Sequence, residues 1–170
     1  MTSRPPSRPE LTVSDITALL TELGRRLRAE GVEATLYVVG GAAMAIELDT
    51  RRVTQDVDAI FRPITTVRKV AGEMAVERGL PKRWLNDSVR PWVPGGDDES
   101  VPFSVPGLSV ALASPRHLLA MKMAAFRPTD KPDLALLFRE LQITRPEEAA
   151  DLAIEVYGEH HMALPSRDEL

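Results

Sequence analysis

Two short motifs in this 170-residue chain combine residue types able to handle phosphate. The first is a pair of carboxylates in Asp56-Val57-Asp58-Ala59-Ile60-Phe61. Alternation of this kind reads as a strand. Asp56, Asp58 and Ile60 then share one face, and Val57, Ala59 and Phe61 the other. Carboxylates two residues apart lie roughly 6.6 Å apart along a strand that rises about 3.3 Å per residue. Their repulsion is a cost unless solvent or a cation relieves it. Such a pair can ligate two divalent ions about 3.5–4 Å apart in phosphoryl-type transfer. Magnesium, which keeps waters and substrate phosphates among its oxygen ligands, is the natural choice.

The second motif is Gly40-Gly41, between an apolar run and a segment that suits a short helix. Glycine at a strand-to-helix junction lets the backbone approach a phosphate, with helix N–H groups pointing at it. Alone, a glycine pair is an ordinary turn and an Asp-x-Asp an ordinary solvated face. The order strand, Gly-Gly, helix, Asp-x-Asp strand is more specific than either.

Two further charges stand out by position. The helix that follows Ser114-Pro115 has the stripe Leu118, Leu119, Lys122, Ala125, Phe126, so Lys122 falls on the apolar side. An unpaired ammonium there is costly. Either its stem lies along the core with the head in water, or it contacts an anion such as a phosphate. On the next helix, Asp133 borders the stripe Leu134, Leu137, Phe138, Leu141. From position alone it is a first-turn carboxylate favoured by the helix dipole. His117 has no metal-ligand pattern around it and reads as structural, and His160-His161 as solvated. No Gly-x-Ser-x-Gly or Walker-type loop occurs, so serine-hydrolase and P-loop chemistry have no support.

The elements that must position these residues can be read from spacing and punctuation. Residues 1–13 are Pro-rich and polar, a flexible N-terminal arm without the apolar core of a signal peptide. Ser14 caps a helix to about Glu30, with Ile16, Leu19, Leu20, Leu23 and Leu27 inward and Gly31 as its stop. Strands follow at 34–39 and 56–61, with a short helix at 42–48 between them. A helix at 64–78 has Val67, Val70, Ala71 and Met74 inward. The Pro- and Gly-punctuated stretch 80–107 gives little signal, apart from short strands at 101–104 and 108–112. Helices at 115–126, 130–141 and 146–157 close the chain. The expected organisation is a core over 14–113, helices over 114–157 that complete the site, and a loose tail over 158–170. The fold class is α/β (α+β), a small mixed sheet flanked by helices with a helical C-terminal part.

Bulk properties set limits. The chain is 44% hydrophobic but only 5% aromatic, and it has no cysteine. Disulfides, thiolate metal sites and thiol nucleophiles are therefore excluded. No apolar run approaches the length of a membrane span, and a cytoplasmic location is expected. The ending Arg167-Asp168-Glu169-Leu170 mimics a retention address and reads as chance without a secretory signal. Residues 1–92 hold 14 Lys/Arg against 12 Asp/Glu, and residues 93–170 hold 7 against 13. The proposed site thus lies in the basic half. Candidate polyanion contacts there are Arg25, Arg26, Arg28, Arg51, Arg52, Lys82 and Arg83, though solvated arginines are the ordinary reading of each.

Taken in order, the motifs resemble the nucleotidyltransferase superfamily. The resemblance is in particular to the AbiEii-type and MenT-type toxins of bacterial toxin–antitoxin systems and their relatives. Val39-Gly40-Gly41 matches the first family element, and Arg52, Thr54, Asp56 and Asp58 match an Arg-x-Thr-x-Asp-x-Asp pattern. Leu80-Pro81 with Trp84-Leu85-Asn86-Asp87 resembles a mid-chain segment. Residues 118–125 around Lys122 resemble a lysine motif, and Asp130-Lys131-Pro132-Asp133-Leu134 an acidic helix motif. The resemblance spans about residues 36–140. It implies that Asp56 and Asp58 hold magnesium, as a one- or two-ion site. Gly40 and Gly41 would position the triphosphate, with Arg52, Thr54 and Lys122 also on the nucleotide. Asp133 would complete the acidic site or act as base. Residues 101–113 contain no third strand carboxylate, so that role is vacant or passes to Asp133. The implied reaction is transfer of a nucleotide from a nucleoside triphosphate such as ATP to tRNA or another macromolecule, with a cognate antitoxin as restraint. A small-molecule acceptor such as an antibiotic, or a catalytically silent nucleotide- or partner-binding module, are the competing functions.

Overall fold

Helix α1 (Val13–Ala29) begins two residues earlier than the sequence implies, because Thr12 and not Ser14 caps it. The Thr12 hydroxyl accepts from the Asp15 N–H at 3.2 Å, and the Asp15 carboxylate accepts from the Thr12 N–H at 2.8 Å. Two orphan donors of the first turn are thereby satisfied. All five expected stripe residues, Ile16, Leu19, Leu20, Leu23 and Leu27, are buried. The computed structural model describes residues 9–166 and 169–170. Residues 1–8 of the expected arm, and Arg167 and Asp168 of the C-terminal tetrapeptide, lie outside the described residues. Within that arm, Leu11 is buried and pairs with Thr54 through two backbone hydrogen bonds of 2.6 and 3.0 Å.

The remaining elements are β1 (Thr35–Val38), α2 (Gly40–Glu47), β2 (Val57–Arg62), α3 (Ile64–Arg78), β3 (Leu85–Asn86), β4 (Val101–Val105), β5 (Leu108–Leu112), α4 (Pro115–Ala125), α5 (Lys131–Glu140) and α6 (Pro146–Tyr157). Helix α2 starts at Gly40 itself rather than at Ala42. The Asp-x-Asp strand starts at Val57, so Asp56 stands just before it. Strand β3 was not foreseen: two residues are too few for a periodic signal, and its partner is distant in sequence. The expected stripe of α4 is also displaced. Leu118, Leu119, Ala120 and Met123 are buried, whereas Phe126 is 70% exposed.

The five strands form one mixed sheet in the order β3-β2-β1-β5-β4. Strands β1 and β2 are antiparallel, β1 and β5 parallel, β2 and β3 parallel, and β4 and β5 antiparallel. Residues opposite one another share a face. Leu36, Val38, Val57, Ala59 and Phe61 therefore lie on one side and are all buried. Helices α1 and α3 pack there. Gly24 permits the contact of α1 with the β4–β5 turn, since a Cβ there would run into the Pro106 carbonyl. The opposite side carries Tyr37, Asp58, Ile60 and Asn86. Helix α4 packs on α5 and α6. No helix among the described residues is long and apolar enough to cross a membrane.

Candidate active site

The sheet brings Gly40 to Asp58. Strand β1 runs antiparallel to β2 with Val38 opposite Ala59, and the Val39 N–H donates to the Asp58 carbonyl at 2.9 Å. The chain then turns into α2 through Gly40 at φ 62°, left-handed backbone that L side chains rarely adopt. A Cβ on Gly40 would sit 3.5 Å from Asp58 Oδ2, and one on Gly41 3.0 Å from Thr54 Oγ1. Thr54 Oγ1 in turn donates to the Asp56 carbonyl at 3.1 Å. The glycine pair and the Asp-x-Asp segment are thus one packed unit, with Thr54 as the piece that joins them.

Asp58 lies on the half-open face of the sheet, with Asn86 of β3 beside it in register. Burial pushes the Asp58 carboxyl above its ordinary pKa, and the nearby Asp56 charge adds to the shift. The Asn86 amide and the more distant Arg127 and Arg83 guanidiniums oppose it without cancelling it. Burial and a neighbouring carboxylate therefore leave the Asp58 anion less favoured than it is in water. The residues fit magnesium, which is commonly held by one or two carboxylates with waters and substrate phosphates completing the shell. Among the described residues no group of three or more His, Asp or Glu side chains is assembled around a metal position.

The facing wall is built from helices and the loop before β2. Asp133 does not merely border its helix's apolar stripe. It is buried together with Leu137, at the centre of the inward face. Its carboxylate accepts a two-pronged hydrogen bond from Arg52, through Nη1 at very short range and Nη2 at 3.0 Å. It also pairs with Lys122 Nζ at 2.5 Å. Lys122 Nζ reaches Asp130 Oδ1 as well, at 2.8 Å. Burial pulls the Asp133 pKa up, but hydrogen bonds from Arg52 and Lys122 outweigh it and hold the carboxyl below its usual range. A carboxylate held between two cations is a weak proton acceptor. What this geometry does directly is to fix the two cations.

Both walls open on a single cleft of about 700 Å³. Gly40, Gly41, Arg52, Asp58 and Lys122 line it; Thr54, Asp56 and Asp133 do not. Sequence reasoning missed several residues at or beside it. Asn86 adjoins Asp58 only because β3 pairs with β2. Asn86 and Asp130 each stand in the sequence only inside a longer motif string, with no individual role marked. Arg127 follows the left-handed C-cap Phe126 of α4 and lines the cleft. Trp92 and Tyr157 come from segments with no catalytic pattern.

Three other expected polyanion contacts, Arg25, Arg26 and Arg51, lie outside the cleft lining. Arg25 and Arg26 pair with Glu22, and Arg26 also with Glu77. Arg51 meets Asp49. His117 is buried, with Nδ1 3.2 Å from Asp97 Oδ1 and Nε2 3.3 Å from the Gly95 carbonyl. His161, expected to be solvated, is half-buried and tilts against the Tyr157 ring at 4.8 Å.

The structure is similar to the crystal structure of an antigenic nucleotidyltransferase-like protein from Paracoccidioides brasiliensis, at 14% sequence identity and a TM-score of 0.48. The match covers 78% of this chain and 79% of that one. No curated protein matches the sequence. The family described as nucleotidyltransferase of unknown function (DUF6036) matches residues 15–143, across α1, the whole sheet, both walls of the cleft and helix α5. The chain belongs to this nucleotidyltransferase family.

Proposed function

We propose that the protein is a magnesium-dependent nucleotidyltransferase that moves a nucleotide from a nucleoside triphosphate to a hydroxyl of tRNA or another macromolecule. The observation that carries this reading is the convergence of Gly40, Gly41, Asp58, Arg52 and Lys122 on one cleft. A new bond forms between the acceptor oxygen and the α-phosphorus, the hydroxyl proton passes to solvent, the α–β anhydride bond breaks, and pyrophosphate leaves. Gly40 and Gly41 present backbone at close range to the triphosphate. Lys122 and Arg52 face its charge from the opposite wall, held in place by Asp133, and Thr54 fixes the loop that carries Arg52. Asp56 and Asp58 would hold magnesium, which supplies charge neutralisation at the phosphates. Positioning and fixed charge supply most of the rate in this class of reaction.

The ordered motifs from Gly40 to Asp133 support a toxin role with a cognate antitoxin, and a cytoplasmic site of action goes with it. Purified protein incubated with labelled nucleoside triphosphates, magnesium and total RNA labels an RNA band on this reading, and Asp58→Ala does not. Equal labelling by the two proteins sinks it. A second reading is favoured by the cleft itself, whose volume falls among small-molecule sites. In that case the label appears on a small hydroxylated acceptor and not on RNA. Nucleotide binding that is indifferent to magnesium, without transfer to either acceptor, would instead mark a silent binding module.

A further inference from the structure

The cleft has two chemically distinct parts. One is the polar end just described. The other is apolar, and four of its members, Val89, Trp92, Tyr157 and Ala163, are linked through hydrogen bonds and one ring contact. Val89 and Trp92 belong to a single 3-10 turn, closed by a 2.8 Å hydrogen bond from the Trp92 N–H to the Val89 carbonyl. The Tyr157 hydroxyl at the end of α6 donates to the Trp92 carbonyl at 2.6 Å. Ala163 is tied to the same group through His161, whose Nδ1 accepts from the Ala163 N–H at 3.1 Å and whose ring lies against Tyr157. All four residues line the cleft. Trp92 is 58% exposed, whereas the chain's other tryptophan, Trp84, is fully buried.

We infer that this apolar arm, with the Trp92 indole as its platform, seats the nucleobase of the incoming nucleoside triphosphate, and that the base is held by stacking rather than read by hydrogen bonds. The inference rests on the nucleotidyl-transfer reading of the polar end and adds what that end cannot specify. A ligand that is polyanionic at one end and flat and aromatic at the other matches the division of the cleft. The backbone turn that carries the platform is also fixed in advance. The Arg90 guanidinium, in the same turn, reaches the Asp87 carboxylate and the Phe61 carbonyl, both at 3.4 Å. Arg68 holds Asp87 from α3 at 3.0 Å. With Tyr157 on the Trp92 carbonyl, the turn is clamped at both ends, so little ordering remains to be done on binding.

The arm offers few groups that could read a base edge. The Tyr157 proton is already given to the Trp92 carbonyl. The Ser88 hydroxyl, beside the arm, is given to Asn86 Oδ1 at short range. Val89, Trp92, Tyr157 and Ala163 carry no amide or charge; the charged residues of the cleft lining are Arg52, Asp58, Lys122, Arg127 and Asp130. Recognition by π-face tolerates any base and favours the larger rings.

The two tryptophans make the test direct. Trp84 is sealed in the core with its Nε1–H on the Ala71 carbonyl at 3.0 Å, so a ligand-induced change in emission reports Trp92. The full chain is titrated, with magnesium, against ATP, GTP, CTP, UTP and inorganic tripolyphosphate, by fluorescence and by calorimetry. ATP is expected to quench emission in the wild type, and tripolyphosphate, which has no base, is not. Trp92→Ala should weaken ATP roughly 5- to 100-fold, the worth of one stacked base, and leave tripolyphosphate affinity within about twofold. Trp92→Phe should keep most of the ATP affinity and lose the quench. ATP and GTP should bind within about threefold of each other and more tightly than CTP and UTP, as stacking on one platform requires.

Unchanged ATP affinity in Trp92→Ala overturns the inference while leaving the polar end as a triphosphate site. A preference for one purine over the other by more than about tenfold overturns the claim that the base is not read, since one good edge contact supplies that much. Failure of both ATP and tripolyphosphate to bind the wild type removes the nucleotidyl-transfer reading and this one with it.

Discussion

The two walls of the cleft handle charge in opposite ways. On the sheet wall, Asp58 stands beside Asp56 with only an amide and two more distant guanidiniums for relief, and its carboxyl is pushed up. On the helical wall, Asp133 is less exposed to solvent yet pushed down, because Arg52 and Lys122 both bind it. Burial alone therefore does not determine the state of either acid; the partners do. An acid whose anion is disfavoured by burial gains from a cation brought from outside the chain, whereas an acid bound directly by two cations is part of the frame. Perturbation of the first kind marks a functional position, and perturbation of the second is also what a structural ion-pair network produces.

The sharpest way to break the contrast is Asp58→Ala. Transfer activity should fall by about 1,000-fold or more, on the scale of removing a principal charge-stabilising group, while urea unfolding shows no loss of stability. Activity within tenfold of wild type would place the chemistry elsewhere. Asp133→Ala should do the reverse in stability: about 3 kcal/mol lost in urea titrations, because two cations are left without their shared anion. A loss below about 1 kcal/mol would mean that Lys122 and Arg52 find water or Asp130 as readily. Gly40→Ala should cost about 1–2 kcal/mol from left-handed backbone alone, and it should raise KM for the nucleotide by moving the turn. An unchanged KM would count against contact of this turn with the triphosphate.

The smallest effect concerns pH. Asp58→Asn should raise the melting temperature at neutral pH by about 2 °C, a modest shift for a domain of this size. The folded Asp58 binds its proton more tightly than the unfolded chain does. Its charge therefore costs stability above the raised folded pKa, and that cost fades as pH falls through this value towards 3.8. The advantage of Asn should shrink over the same window. Asp133 has the opposite sign: its stabilisation is present above 3.8 and is lost only as pH falls further, through its lowered pKa. Wild-type and Asp58→Asn melting curves recorded from pH 7 down to pH 3 would separate the two. A constant difference would show that Asp58 is no less comfortable as an anion in the folded protein than in the unfolded one.

What could be read in the sequence was local. The leucine spacing of α1, the inward set Val67, Val70, Ala71 and Met74 of α3, and the Ser114-Pro115 start of α4 each depend on neighbours within a few residues, and each agrees with the structure. The alternation that places Asp58 opposite in direction to Val57 and Ala59 is local too. What could not be read depends on chain meeting chain. Asn86 reaches Asp58 only through a two-residue parallel pairing. Asp133 looked peripheral to its helix because its burial depends on Arg52, 81 positions away. Tyr37 and Asp97 are 60 positions apart and join at 2.6 Å. Lys122 was conspicuous because an ammonium among apolar residues demands a partner, but nothing local said that the partners would be Asp130 and Asp133.

The pairing of Leu11 with Thr54 has a consequence for the loop that leads into β2. That loop carries Arg52 to one wall of the cleft and Thr54 to the other, and it has no regular structure of its own from Asp49 to Asp56 beyond this bridge. Leu11 works as a clasp at its midpoint: both backbone groups of Thr54 are engaged by a residue from before the first helix. A chain trimmed to begin at α1 would keep every residue named for catalysis and still leave the clasp undone. The spacing between the two walls is thus partly set by a segment in which no motif occurs.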